Sequence, residues 1–263
     1  VTDMEGMFSG AIVYPGVGIN TWDVSGNTIL TNIFLNASAM LSSWGDHPSY
    51  GPPLLNSFFK QIQITQSNIK EAVDTWNKNS NVASYAYGII SGWDTSAVTD
   101  MSGLFKDMNT FNDDISLWDT NNVSNMGAMF YGATAFNIDI SGWDTSKVSN
   151  MSEMFLGCRT FNQNIGTGAA NKWDVSSVTD MSHMFRGAWV FVGDITNWNT
   201  SKVLNMSYMF YSSPVFNLNI NTSGNIWDVS KVTDMSYMFS GIFPNHQTVF
   251  NQDISGWDVS GTD

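Results

Sequence analysis

Residues 143–155 read W-D-T-S-K-V-S-N-M-S-E-M-F, and close variants of this phrase occur six times along the chain. Each unit opens on a tryptophan, and these are Trp93, Trp118, Trp143, Trp173, Trp198, Trp227 and Trp257. Three of the six steps between them are 25 residues long, and the other three are four or five residues longer. A fixed period of this length is the mark of stacked repeats, in which each unit buries its apolar side chains against its neighbours.

Inside one repeat the apolar side chains predict a short helix. Met101, Leu104, Phe105 and Met108 follow the i, i+3, i+4, i+7 spacing of a helical stripe. An Asp or Asn precedes each such methionine, at the position of a helix N-cap. The rest of the repeat predicts an extended segment. We therefore expect an α/β solenoid, a right-handed leucine-rich-repeat-like stack of coils of about 25 residues, each with a short parallel β-strand and a short helix.

The residues outside the clear repeats divide into two segments. Residues 1–37 contain a degenerate version of the repeat, and residues 38–92 form an irregular insertion with a helical N-terminal cap. Within that cap, Ser67 to Trp76 predicts an amphipathic helix in which Ile69, Val73 and Trp76 share one face. Residues 93–263 contain the six regular repeats and a partial one. Because the chain starts and stops inside the repeated phrase, we expect a piece of a longer protein.

The repeat resembles that of the BspA-type surface proteins, a divergent leucine-rich-repeat family with 25-residue units. The resemblance rests on the W-D-[TV]-S-x-V-[TS]-[DN]-M-S-x-M-F unit and covers residues 67–263 well. It implies a right-handed α/β solenoid, an extracellular or cell-surface location, and a role in adhesion or protein binding. It carries no catalytic residues over to this chain.

The composition limits the classes of partner. The chain has 23 acidic and 10 basic residues, for a net charge of −13. Nucleic acids and acidic membrane surfaces are bound through Lys and Arg, so this balance argues against both. No stretch reaches the length of a membrane span. The single cysteine, Cys158, occupies a repeat position held elsewhere by alanine, which predicts a small buried side chain.

The acidic residues form columns, because they recur at fixed places in the repeat. Asp94, Asp119 and Asp144 share one such place, and Asp114 and Asp139 share another. Stacked carboxylates could bind Ca²⁺ between the repeats. The alternative is that each carboxylate accepts a hydrogen bond from the backbone of its own turn. Asn replaces Asp in several repeats, which favours the local turn, and we predict no metal site and no cofactor beyond this calcium alternative.

Residues that face outward and differ between repeats are the candidates for binding. A helical stripe would place the residues two and five positions after each methionine on the outside. The candidate partner-binding surface is Tyr131, His183, Arg186, Tyr208, Tyr211 and Tyr237. The Asn-x-Ser/Thr triplets on looser segments give three candidate N-glycosylation sites, which are Asn36, Asn122 and Asn221.

These features favour a non-enzymatic protein. The three histidines are scattered, and none lies at a spacing typical of a metal ligand or of a nucleophile and its base. We expect an extracellular repeat glycoprotein that mediates adhesion through contacts with other proteins, or that pairs with copies of itself as a building block of a surface assembly or filament. The alternatives are a glycan-binding module and a calcium-stiffened structural repeat.

Overall fold

The structure is a computed structural model, and it describes residues 61–166, 173–221, 227–241 and 248–262. The degenerate repeat predicted over 1–37, most of the irregular insertion, and Asn36 lie outside these residues. The chain divides into two compact units. The helical unit contains the described residues 61–64 and 68–93, and the repeat unit contains Thr65–Ser67 together with the chain from Asp94 onward.

The helical unit consists of two α-helices and a short 3-10 helix. Helix α1 spans Ile69–Lys78, helix α2 spans Ser80–Tyr87, and the 3-10 helix spans Ile90–Gly92. Helix α1 confirms the predicted amphipathic helix, because Ile69, Ala72 and Val73 are buried. It begins after Asn68, two residues later than the start predicted at Ser67, and has no side-chain cap. No helix in the described part of the chain is long and apolar enough to cross a membrane.

The repeat unit does not contain the predicted coils of strand plus helix. Among its described residues there is no α-helix and no β-strand, only turns and isolated parallel bridges between neighbouring repeats. The bridges connect the residue before each methionine to its equivalent in the next repeat, and they begin with Asp100 to Asn125 and Asn125 to Asn150. The expectation of an α/β solenoid is therefore wrong for the described residues.

The apolar stripe belongs to overlapping turns rather than to a helix. In the first repeat, Leu104 N–H donates to Met101 O and Lys106 N–H donates to Gly103 O, which closes successive turns of four residues. The N–H groups between these donate to carbonyls of the next repeat: Gly103 N–H donates to Gly127 O, and Phe105 N–H donates to Met129 O. A helix requires every N–H to reach the carbonyl four residues back. Here the N–H groups donate alternately within the repeat and to the next repeat. This pattern excludes a helix, and the second set of bonds connects the repeats.

The same alternation explains why no strand forms. Each bridge residue is followed by a bend, because its own side chain accepts the N–H two residues later: Asp100 Oδ1 accepts Ser102 N–H at 2.8 Å, and Asn125 Oδ1 accepts Gly127 N–H at 3.0 Å. Such Asx turns curve the backbone away from extended geometry. The pairing between neighbouring repeats at this point is therefore limited to a single bridge residue.

The core of the repeat unit is a set of aromatic columns. Phe105, Phe130, Phe155, Phe185 and Phe210 are all buried. Consecutive rings in this column lie 5.3–5.8 Å apart between centroids. A second phenylalanine of the same repeat lies against each of them at 3.7–4.2 Å. The burial of the repeated Met, Phe and Trp residues confirms the core that the period predicts.

Several buried polar side chains donate hydrogen bonds from one repeat to another. The indole N–H of Trp173 donates to Ile140 O at 2.8 Å, and that of Trp198 donates to Ile165 O at 2.9 Å. Thr145 Oγ1 donates to the carbonyl of Asp174 in the next repeat at 2.9 Å. The predicted burial of Cys158 is confirmed: its thiol donates to Phe130 O, and burial raises its pKa well above the ordinary range.

A glutamine side chain takes the place of a neighbouring repeat at the first repeat. Ser124 is the equivalent of Thr99 in the next repeat, and its N–H donates to the backbone carbonyl of Thr99, in the previous repeat, at 2.8 Å. For Thr99 itself the acceptor is Gln66 Oε1, at 2.9 Å. Gln66 Nε2 also donates to Asp100 O at 3.0 Å. The primary amide of Gln66 therefore supplies one acceptor and one donor, as a peptide group of a neighbouring repeat would. It satisfies the N–H of Thr99 and the carbonyl of Asp100.

One glycine tests the turn geometry directly. Gly157 has φ +72°, and a Cβ built there would meet no atom closer than 3.8 Å, so only the left-handed backbone opposes a side chain. We expect Gly157→Ala to lower the free energy of unfolding by about 1–2 kcal/mol, as measured by urea denaturation. Gly142→Ala is the control, because a Cβ there meets nothing within 4 Å and its φ is not left-handed. Equal stability of the two variants would contradict the turn geometry.

Candidate interaction surface

The first of the two outward positions in each repeat lies in a left-handed turn. The second residue after each methionine has φ between +54° and +60° in all six repeats. These residues are Gly103, Ala128, Glu153, His183, Tyr208 and Tyr237. A left-handed conformation costs a residue with a side chain about 1–2 kcal/mol, and Gly103 shows that glycine satisfies the turn. The fold therefore does not require the histidine and the two tyrosines at this position.

Three of these side chains stack on one another across repeats. The rings of His183 and Tyr208 lie 4.7 Å apart at 9° between planes. The rings of Tyr208 and Tyr237 lie 4.8 Å apart at 21°. His183 and Tyr208 are half-buried, whereas Tyr237 is 60% exposed. The stack is thus an aromatic ladder of three rings that crosses three consecutive repeats.

Arg186 and Tyr211 lie beside this ladder, five residues after their methionines. The guanidinium carbon of Arg186 is 5.1 Å from the ring centroid of Tyr211 and 5.6 Å from that of Tyr208. Arg186 Nη1 is 3.4 Å from His183 Nδ1. We call His183, Arg186, Tyr208, Tyr211 and Tyr237 the aromatic-arginine surface. Five of the six residues predicted to bind a partner are thereby brought together.

The sixth predicted residue, Tyr131, lies elsewhere in the same column. The ammonium of Lys106 sits 4.3 Å from its ring centroid. Within the described part of the chain, no contact joins Tyr131 to the aromatic-arginine surface. It occupies the position of Arg186 two repeats earlier, so the spacing of the repeats separates them.

The charge of the surface is carried by Arg186. Partial burial lowers the pKa of His183 below its ordinary value, and the cation of Arg186 lowers it further. Glu153, Asp180 and Asp234 oppose this shift. In the described residues the one ion pair is Lys70 with Asp74, in helix α1, so Arg186 has no carboxylate partner there. The surface therefore presents a cation held against aromatic rings in a chain whose net charge is −13.

A second cation-π pair was not predicted from the sequence. The guanidinium carbon of Arg159 is 4.2 Å from the ring centroid of Trp189, and Val190, Val192 and Val215 are exposed. One feature of the sequence could have indicated this pair: Trp189 does not lie at the position where the repeated phrase carries its tryptophan. The position of Arg159 in the previous repeat then follows from the spacing of 30 residues.

The acidic columns form local turns. Asp94 Oδ1 accepts Ser96 N–H at 3.0 Å, and Asp114 Oδ1 accepts Ser116 N–H at 2.9 Å. Asn199 makes the same bond to Ser201 N–H at 3.2 Å. These bonds confirm the local-turn interpretation. Hydrogen bonds from the hydroxyl and backbone N–H of Ser96 lower the pKa of the Asp94 carboxyl below its ordinary value. No group of three or more metal-ligating side chains occurs among the described residues.

The two described glycosylation candidates differ in exposure. Asn122 is exposed, although its amide donates to Ser96 O and accepts from Lys147 Nζ, each at 2.9 Å. Asn221 is only 8% exposed, which leaves little room for a glycan on its amide. Both sites stay predictions, and the exposure favours Asn122.

Comparison with known proteins gives one family. The model of the family described as "Mycoplasma protein of unknown function, DUF285" matches three times, at residues 1–87, 67–171 and 166–263. No curated protein and no solved structure matches the chain. The three successive matches are those of a repeat protein.

Proposed function

The chain belongs to the DUF285 family, whose description assigns no activity, and from that premise we propose that it is a non-enzymatic, extracellular repeat protein that binds another protein through the aromatic-arginine surface. The observation that carries the proposal is the ladder of His183, Tyr208 and Tyr237 with Arg186 against it. The BspA-type resemblance of the repeat supports the extracellular location.

The residue types of the surface support protein binding. Tyr and Arg are enriched among the residues that dominate the binding energy of protein interfaces, because they combine a large apolar contact with polar groups. Here the side chains are already held in place by contacts between the repeats, so ordering them on binding costs little. His183, Tyr208 and Tyr237 also occupy left-handed backbone positions whose strain a glycine would relieve, and such strain is typical of sites kept for function.

The stacking of Tyr208 disfavours the use of its ring as a platform for a neutral glycan. Sugar rings bind tyrosine through the open face of the aromatic ring. In the ladder, both faces of Tyr208 are covered, by His183 at 4.7 Å and by Tyr237 at 4.8 Å. Tyr208 therefore offers its edge and its hydroxyl. Edges and hydroxyls suit hydrogen bonds and side packing with a protein.

Photo-crosslinking tests this function. The chain would be labelled with benzoylphenylalanine in place of Tyr237, which preserves an aromatic ring, and applied to the outside of the cells that produce it. We expect an ultraviolet-dependent adduct with a surface protein, and at least a fivefold loss of the adduct when Tyr208→Ala and Tyr211→Ala are added. A dimer of the chain would identify a second copy as the partner.

The control carries the same label at Leu117, which is 81% exposed and belongs to a different repeat position. A label there is expected to give no adduct. Equal labelling from both positions, or no adduct from position 237, would contradict the proposed function.

A further inference from the structure

We infer that the partner presents a carboxylate, from an Asp or Glu side chain of a protein segment, to the guanidinium of Arg186. This inference rests on the proposed function and specifies the chemistry of the partner. It depends on the absence of an ion pair for Arg186 among the described residues, on the position of its guanidinium over the rings of Tyr208 and Tyr211, and on the tyrosine hydroxyls of the same surface.

Arg186 retains most of its hydrogen-bonding capacity. A guanidinium has five N–H donors. Within the described part of the chain, Arg186 makes one hydrogen bond, from Nη1 to His183 Nδ1, and no ion pair. The guanidinium carbon lies over the rings of Tyr208 and Tyr211, at 5.6 and 5.1 Å from their centroids, and these two contacts restrict its position. The planar fork of a guanidinium matches the two oxygens of a carboxylate.

The surrounding tyrosines add donors of the same kind. The hydroxyls of Tyr208, Tyr211 and Tyr237 make no hydrogen bond to any described residue. A phenol donates readily to a charged oxygen, and such charge-assisted bonds are the stronger ones. Tyr208 and Tyr211 contact the cation through their rings, so their hydroxyl donors belong to the same surface as the guanidinium.

The charges nearby favour a single carboxylate over a more highly charged anion. Glu153, Asp180 and Asp234 lie close enough to act on His183, and the whole chain carries −13. A phosphate, with a charge of about −2, meets more of this repulsion than a carboxylate does. At physiological salt, charges beyond about 8 Å are largely screened, so the more distant acidic residues of the chain oppose a carboxylate at Arg186 only weakly.

Two capped peptides provide the test. Acetyl-Gly-Ser-Glu-Phe-Ser-Gly-amide carries one carboxylate, and the same peptide with Gln in place of Glu carries none. Each would be titrated into the isotope-labelled chain at pH 7 and 0.15 M NaCl, with NMR detection of the His183, Tyr208 and Tyr237 ring signals. We expect the Glu peptide to shift these signals and the Gln peptide to bind about tenfold more weakly.

Variants locate the contact. Arg186→Gln is expected to lower affinity for the Glu peptide about tenfold, and Arg186→Lys by a smaller factor, because Lys keeps the charge and loses the planar edge. Arg159→Gln is the matched control, since Arg159 also lies over an aromatic ring but outside this surface. It should leave the affinity unchanged.

The alternative outcomes are distinct. Equal binding of the Glu and Gln peptides, or full binding by Arg186→Gln, would overturn the carboxylate inference while leaving the aromatic-arginine surface as a protein-binding site. No shift with either peptide would also overturn it, whatever the crosslinking shows. A parallel titration with 3′-sialyllactose supplies a carboxylate on a sugar. Shifts with that ligand and none with the Glu peptide would replace the protein segment by an acidic glycan.

Discussion

Replacing Phe185 with alanine is expected to lower the free energy of unfolding of the repeat unit by about 3–5 kcal/mol. The side chain is fully buried, and its ring stacks at 5.6 Å on Phe155 in the previous repeat and at 5.6 Å on Phe210 in the next. Phe191 of the same repeat lies at 4.2 Å. Alanine would remove the middle of the column and leave a cavity that the rigid stack could fill only in part.

Urea denaturation followed by tryptophan fluorescence would measure the effect. Phe185→Leu keeps most of the volume, so we expect a smaller loss, of about 1–1.5 kcal/mol. Val190→Ala is the control in the same repeat, because Val190 is 43% exposed. A loss of less than about 1 kcal/mol for Phe185→Ala, or equal losses for Phe185→Ala and Val190→Ala, would show that the column does not hold the repeats together.

The core could be predicted from the sequence because burial follows from the period. Phe105, Phe130 and Phe155 recur 25 residues apart, and residues that recur in every repeat must share one environment if the repeats stack. The structure buries all three and stacks their rings. This prediction needed only the spacing and the apolar character of the side chains, and no assumption about secondary structure.

The backbone conformation could not be predicted in the same way. Overlapping turns of four residues place Met101, Leu104, Phe105 and Met108 inside, and a helix would place them there as well. Apolar spacing therefore does not separate the two conformations. The distinguishing signal was Gly103, which adopts positive φ inside the supposed helix, where glycine is unfavourable.

Five of the six candidate binding residues lie together, for a reason other than the predicted helix, and their role in binding stays a prediction. The residues two and five positions after each methionine were expected outside because of helix geometry, whereas in the structure the first of these two positions lies in a left-handed turn. The repeat period stacks His183, Tyr208 and Tyr237, and this contact could be derived from their shared column. The position of Arg186 against Tyr208 joins two different columns, so it required the coordinates.

Gly193 gives the second large effect, and here the repeat pattern and the structure predict opposite results. Equivalent positions in the neighbouring repeats carry Gln163 and Leu218, so the pattern alone predicts that a side chain is tolerated. In the structure, a Cβ on Gly193 would overlap the backbone carbonyl oxygen of Gln163 and come within 3.0 Å of its carbonyl carbon and of the Phe191 ring. A backbone atom cannot move aside as a flexible side chain does.

We expect Gly193→Ala to lower the free energy of unfolding by about 3 kcal/mol, near the upper end of the usual cost of overpacking. The segment cannot easily shift away, because Val192 N–H donates to Asn162 Oδ1 at 2.8 Å and the adjacent Phe191 is buried in its column. Urea denaturation gives the total effect, and faster hydrogen exchange at the Val192 amide would locate it. Gly142→Ala is again the control, since a Cβ there meets nothing within 4 Å. Unchanged stability together with a protected Val192 amide would contradict this prediction. The residues of the neighbouring repeats, and not the close approach of the Gln163 carbonyl, would then decide which side chains this position accepts.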